Sequence, residues 1–215
     1  MMAFASLRLA VGTLTIIPTG RLPEIDRPAA AQAMIIAPLA VLPLACAVGA
    51  VGWLADLGDL PPLAVGWAMV AALALGTRAM HLDGLADTVD GLGSGWDRAR
   101  SLAIMARGDV GPMGVVALVI TLGLQAAALG DVVTDLRGAL FAGLIICASR
   151  AALVVVCVRG VPPARDHGLG AAVAGSVPAV VAIIDWLAVL MIIGLAAWLL
   201  GFGLLSSVIA ASQET

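Results

Sequence analysis

Pro62-Leu-Ala-Val-Gly-Trp-Ala-Met-Val-Ala-Ala-Leu-Ala-Leu-Gly-Thr-Arg-Ala-Met-His-Leu82 runs straight into Asp83, and this junction decides the fold. No residue from 62 to 76 is charged, and a bilayer crossing needs about 20 predominantly apolar residues. Residues 30–55, 111–130 and 138–158 meet the same criterion. Residues 3–18 are apolar but shorter, as expected of a half-span or a tilted packing helix. The segment 171–205 reads either as one long helix near 178–204 or as two pieces broken around Asp185-Trp186. The expectation is an all-α, polytopic transmembrane bundle of about six to seven apolar segments, forming one integral-membrane domain over residues 1–215.

Composition supports this and removes other classes. The chain is 62% hydrophobic and 12% charged, with a mean hydropathy of +1.11, whereas soluble domains run about 45–50% apolar and about 25% charged. Too few polar residues remain to cover a soluble core. Positive charge comes from eleven Arg and no Lys, set against twelve Asp and two Glu, for a net charge of −3. That balance excludes a nucleic-acid binder, which needs a basic face. Cys46, Cys147 and Cys157 lie in apolar runs without metal-ligand spacing and read as small packing residues.

Arginine placement sets sidedness. Arg21 and Arg27 lie in segment 19–29, Arg98, Arg100 and Arg107 in 83–110, and Arg159 and Arg165 in 159–170. The intervening connectors 56–61 and 131–137 hold only Arg137, beside Asp56, Asp59, Asp131 and Asp135. Seven Arg against one place the three segments in the cytosol.

The central cytosolic segment carries the chemistry. It begins His81-Leu-Asp-Gly-Leu-Ala-Asp-Thr-Val-Asp-Gly91 and continues through Asp97 to Met105-Ala-Arg-Gly-Asp-Val-Gly-Pro-Met-Gly114. Asp83, Asp87 and Asp90 recur at i, i+4 and i+7, within about 60° of one another on a helix at 100° per residue. Asp97 joins that face if the helix continues. Carboxylates on one stripe repel unless a cation neutralises them. Hard oxygen donors with room for water and phosphate suit Mg²⁺ or Mn²⁺, so the pattern points to metal-assisted phosphoryl transfer. Gly84 and Gly91 lie on a neighbouring stripe where a ligand or another helix can approach the backbone.

Basic and imidazole groups complete the candidate site. Arg150 lies inside the span 138–158, where an arginine is costly and needs a partner, either an Asp of the central segment or a bound phosphate. Arg78 is a similar case near the interface, and Arg107 and Arg165 are further candidates for phosphate binding. His81 reads first as a structural donor at a helix start and second as a base, and His167 as a solvated loop residue.

The stretch His81 to Gly91 resembles the signature of the membrane-bound cobalamin (5′-phosphate) synthases, the adenosylcobinamide-GDP ribazoletransferases. Thr15-Ile-Ile-Pro18, Ile104-Met105, Gly111-Pro-Met-Gly114, Ser149-Arg150 and Ala164-Arg165…Gly168-Leu-Gly170 are similar to further patterns of that family, in the same order. The family's C-terminal Gly-Gly-x-Thr-Gly-Asp motif is not intact, so either 171–205 crosses twice or the C-terminal tail is incomplete. The resemblance implies a multi-pass enzyme of a bacterial or archaeal cytoplasmic membrane, with its site facing the cytosol. A hydroxyl of α-ribazole, or of its 5′-phosphate, would attack the cobinamide-linked phosphate of adenosylcobinamide-GDP. GMP would leave, and adenosylcobalamin or its 5′-phosphate would form, with Mg²⁺ as cofactor. Asp83, Asp87 and Asp90 would then face Mg²⁺ and the pyrophosphate, and Arg78, Arg150 and Arg165 the phosphate oxygens. One of the Asp residues, or His81, would accept the proton. Partners are those two substrates and the lipid bilayer, and self-association into a homo-oligomer stays open. A lipid-directed CDP-alcohol phosphotransferase and a transporter coupled through Arg150 and Asp185 are the competing readings.

Overall fold

The computed structural model describes residues 2–20, 26–95, 97–164 and 168–202. Every regular element among them is helical: α1 (Met2–Leu14), α2 (Arg27–Ile35), α3 (Ala37–Ala40), α4 (Leu42–Leu57), α5 (Pro62–Gly76), α6 (Met80–Gly93), α7 (Arg98–Ile104), α8 (Pro112–Val132), α9 (Leu136–Ala148), α10 (Ala152–Val156), α11 (Leu169–Val173) and α12 (Ala179–Leu200). A 3₁₀ turn at Ser149–Ala151 joins α9 to α10.

Local chemistry explains most of the boundaries. Asp26, Asp97 and Asp135 each cap a helix, accepting hydrogen bonds from Ala29 N, Ala99 N and Gly138 N at 2.8, 2.9 and 2.8 Å, which satisfies donors that the first helical turn leaves orphaned. Asp97 therefore opens α7 instead of extending the acidic face of α6, which ends at Gly93. The expected continuous span 30–55 is also broken, at Ile36 and Val41. Pro38 and Pro43 follow two residues after each break, in the first turns of α3 and α4, where a proline lacking its N–H is tolerated.

Among the described residues, three helices are long and apolar enough to cross a bilayer, Pro112–Val132, Leu136–Val156 (through the 3₁₀ turn) and Ala179–Leu200, or four if the bent pair α5 and α6 is one span. At 1.5 Å per residue each of the three reaches about 30 Å, the thickness of the hydrocarbon core. The segment after Gly170 thus holds one long helix, α12, preceded by the short α11. Only 6% of the most apolar window of α12 is buried, so this helix is clothed by lipid more than by protein.

α5 packs along α8 and α4, and α4 along α9, around a core that includes Val48, Val65, Met69, Val133 and Ile146. Lipid is as apolar as these side chains, so close backbone approach must supply the attraction. A Cβ at Gly66 would strike the Ala126 carbonyl, and one at Gly130 the Pro62 carbonyl. Two glycines thus fix the α5–α8 crossing. A second core, with Leu9, Ala33, Val154 and Val177, joins α1, α2 and α10 to the segment before α12.

α6 departs from the membrane direction. It lies at 93° to α5 across a short break, so the expected loop 83–110 holds two helices, α6 and α7, and α6 starts inside the expected span 62–82. The turn passes through Arg78 and Ala79, at φ 55° and 54°. Left-handed backbone costs a non-glycine residue roughly 1 kcal/mol, so the surroundings must hold it. Arg78 Nη2 donates to the carbonyls of Gly12 at 2.7 Å and Thr15 at 3.0 Å. Ile16 N donates to Gly76 O at 2.8 Å, and Thr77 Oγ1 to Leu73 O at 2.9 Å. The corner is stapled to the end of α1.

Candidate active site

The acidic stripe lies on α6, as the spacing requires, but its three members stand differently. Asp83 is exposed and Asp87 half-buried. Asp90 turns to α8: Oδ2 accepts from Gly111 N at 2.7 Å and Oδ1 from Gly114 N at 2.8 Å. Gly111 is the N-cap of α8 and has no side chain of its own. Asp90 supplies the missing cap from 21 residues away and places a carboxylate at the positive end of the helix dipole. Gly114 is needed for this contact, because a Cβ there would land on the Asp90 carboxylate and 3.0 Å from Ala86 O. Sequence reasoning picked out the Gly111–Gly114 motif without its partner, since a local capping rule looks within three residues of the helix start.

The neighbouring glycines divide similarly. Gly91 faces Met105 and the Ser101 carbonyl, so α7 folds back against α6 there, while nothing lies within 4 Å of a Cβ at Gly84. The open glycine and exposed Asp83 are adjacent, whereas the covered glycine adjoins Asp90.

The basic candidates also separate. Arg78 is exposed and its Nη2 donates to two backbone carbonyls, which holds the corner. Arg107 is exposed beyond α7. Arg150 is buried, 9% exposed, in the 3₁₀ turn inside the Leu136–Val156 span. Its Nε–H has no hydrogen-bond acceptor. A cation at such depth costs about 2.5–3.5 kcal/mol on insertion scales, and here no side chain offsets it at Nε. His81, in the first turn of α6, is half-buried, and its Nδ1 likewise has no partner. Burial, reinforced by the Arg150 charge, holds His81 below the ordinary imidazole range, so the neutral ring dominates. Arg165 and His167, like Arg21, lie outside the described residues.

The donor set fits a hard divalent ion in one manner only. No group of three or more His, Cys, Asp or Glu side chains is gathered among the described residues. Mg²⁺, however, typically takes one or two carboxylates and completes its shell with water and substrate phosphate. Asp83 and Asp87, one turn apart on α6, match that arrangement. Asp90 already spends one acceptor site of each oxygen on α8.

Several sequence motifs therefore converge at one end of the bundle. Thr15–Pro18 adjoins the corner at Arg78, the corner launches α6, and Asp90 of α6 holds Gly111 and Gly114. The family model described as cobalamin-5-phosphate synthase matches residues 6–213. The chain belongs to this family. It is 52% identical over 180 residues to an adenosylcobinamide-GDP ribazoletransferase of a Nocardioides species, covering 84% of this chain and 77% of that protein. It is 37% identical over 201 residues to the protein of that name from Frankia casuarinae, covering 88% and 71%. The one from Bradyrhizobium diazoefficiens is 40% identical over 179 residues, covering 81% and 66%. No solved structure matches the chain. Family membership sets aside both the lipid-directed phosphotransferase and the transporter.

Proposed function

We propose that the chain is an adenosylcobinamide-GDP ribazoletransferase whose diphosphate platform is the Asp83–Asp87 face of α6. The observation that carries this reading is the placement of α6. It runs perpendicular to α5 at the end of the bundle where the family's motifs meet, with Asp83 exposed and Asp87 half-buried one turn on. A site at this level accepts large hydrophilic substrates from water while the apolar spans stay in lipid. Arginine placement supports a cytosolic site, and the family resemblance supports a bacterial or archaeal cytoplasmic membrane.

In the reaction, the ribazole hydroxyl oxygen forms a bond to the cobinamide-linked phosphorus. The anhydride bond to the second phosphate breaks, GMP leaves with the bridging oxygen, and the hydroxyl proton passes to a base. Asp83 and Asp87 would hold Mg²⁺, which supplies charge neutralisation at the diphosphate. Arg107, Arg150 and Arg165 are the cationic groups for phosphate oxygens. Asp90 positions α6 by holding α8, and Arg78 positions it by holding the corner. The proton acceptor is one of the Asp residues or His81, whose ring is kept neutral by burial and the Arg150 charge.

The test is GMP release from adenosylcobinamide-GDP and α-ribazole by the full chain in liposomes. Asp83→Asn and Asp87→Asn should each lower the rate by at least about a hundredfold, with the protein still folded. EDTA should abolish wild-type release and Mg²⁺ restore it. Full activity in both variants would remove α6 from the chemistry.

A further inference from the structure

α8 carries a polar side chain on its lipid-facing surface. Gln125 lies within the span Pro112–Val132, seven residues before its last residue. At 1.5 Å per residue that is about 10 Å inside the hydrocarbon, further than a glutamine side chain reaches. Gln125 is nonetheless exposed, and no residue among those described hydrogen-bonds its carboxamide. Gln32, the other carboxamide among the described residues, receives a hydrogen bond from Ser6 Oγ at 2.9 Å. Lipid tails offer neither donor nor acceptor, and an uncompensated amide is costly among them. Polar side chains within spans therefore turn inward or pair. Gln125 does neither within one chain.

Its neighbours on α8 are those of a helix contact. Ala126 is fully buried, and its carbonyl is turned to Gly66 of α5. Gln125 lies about 100° round from it, with Thr121 and Ala128 within about 60° of Gln125. Ala128 and Leu124 are exposed and Thr121 is half-buried. Only 17% of the most apolar window of α8 is buried, so this face is free of the packing on α5 and α6. Small residues such as Thr121 and Ala128 let two helix backbones approach closely, and glutamine bonds across such contacts.

The chemistry of the carboxamide selects the partner. It holds an NH₂ donor and a carbonyl acceptor, so it is complementary to a second carboxamide. Copies of one chain insert with the same sidedness, so a twofold axis relating two of them runs along the membrane normal. Such an axis brings a residue near it opposite its own equivalent, at the same depth. We infer that the Thr121–Gln125–Ala128 face of α8 is a homodimer interface, in which the two Gln125 carboxamides hydrogen-bond to each other inside the bilayer. The contact lies about 20 Å along α8 from the turn that Asp90 holds, so each copy keeps its own α6 platform and both platforms face the same side.

The chain has no Lys, so an amine-reactive dye marks the N-terminus alone. Donor- and acceptor-labelled full chains, mixed in liposomes at falling protein-to-lipid ratios, should show energy transfer whose dilution dependence fits a dimer. Gln125→Leu should weaken association by about threefold to thirtyfold, the effect of losing an interhelical hydrogen bond in a membrane. Gln125→Asn, which keeps the carboxamide, should recover part of that loss. Ala128→Leu, which holds the backbones apart, should weaken association as well. Val119→Ala, about 120° round the helix from Gln125, should leave it unchanged. In detergent dilute enough to hold the monomer, Gln125→Leu should unfold no earlier than wild type, since leucine suits an apolar surrounding.

Wild type that stays monomeric at every dilution would overturn the interface and leave this face to lipid or to a different membrane protein. Gln125→Leu and Ala128→Leu that both associate like wild type would overturn it by moving the contact to another face. A fit requiring more than two chains would overturn the twofold pair. Earlier unfolding of monomeric Gln125→Leu would overturn it too, because Gln125 would then serve its own chain.

Discussion

Replacing Asp90 by asparagine distinguishes a helix cap from a metal ligand. The carboxylate accepts two amide bonds at the start of α8, at 2.7 and 2.8 Å. Asparagine retains one acceptor oxygen and turns an NH₂ group towards the other amide, so one charge-assisted bond is lost and a donor faces a donor. Hydrogen bonds to charged groups contribute about 1.5–3 kcal/mol, and the favourable charge at the helix N-terminus contributes about 0.3–1 kcal/mol. Partial solvent access puts the loss near the lower end, about 2 kcal/mol. In a chain of this size that lowers the unfolding midpoint by about 4–8 °C. Thermal unfolding in detergent, run with EDTA and with excess Mg²⁺, is the assay, and the deficit should be the same in both. Gly114→Ala acts on the same contact, since its Cβ would displace the carboxylate. Its cost should therefore be less than additive with that of Asp90→Asn. Asp90→Asn unfolding with wild type, while needing more Mg²⁺ for half-maximal GMP release, would refute the cap and make Asp90 a ligand.

At the α5–α6 corner, Ala79→Gly should leave the unfolding midpoint within about 0.5 kcal/mol of wild type, because relief of left-handed strain offsets the entropy glycine gains when unfolded. Ala79→Val should destabilise by about 1 kcal/mol or more, and equal effects would deny the strain. Gly66→Ala puts a methyl against the Ala126 carbonyl and should cost about 1–3 kcal/mol in the same measurement; a neutral result would mean the crossing yields freely. For His81, the folded protein resists protonation, so the unfolded chain binds the extra proton first. Stability is fully present above the ordinary imidazole value and declines as pH falls through it, towards the lower folded value. A midpoint-against-pH curve for His81→Asn should be flatter in that window than for wild type, and superimposable curves would contradict the shift.

What could be read in the sequence was what depends on short-range periodicity. The i, i+4, i+7 spacing correctly put Asp83, Asp87 and Asp90 on one helix face, and apolar length found the spans at 112–132 and 136–156. Pro38 and Pro43 mark the splits within residues 30–55, where unbroken apolarity alone predicts one continuous span. The corner gave no local signal at all. Arg78 and Ala79 are ordinary helix formers, and they turn left-handed because Gly12, Thr15 and Ile16 hold the corner from outside. The cap of α8 was hidden for the same reason, as its acceptor stands a whole helix away.

These two long-range contacts have one consequence in common. α6 packs on α8 and α7 through Ala86 and Gly91 and turns Asp83 outward. Its N-terminal end is fixed by the Arg78 staple to α1 and its C-terminal end by Asp90 on α8. The residues between the two anchors, from His81 to Asp87, inherit their position from both. Asp83 stays exposed between the two anchors. Conserving the acidic motif alone would not conserve the site. The corner at Arg78 and the paired glycines of α8 are as much a part of it as the carboxylates.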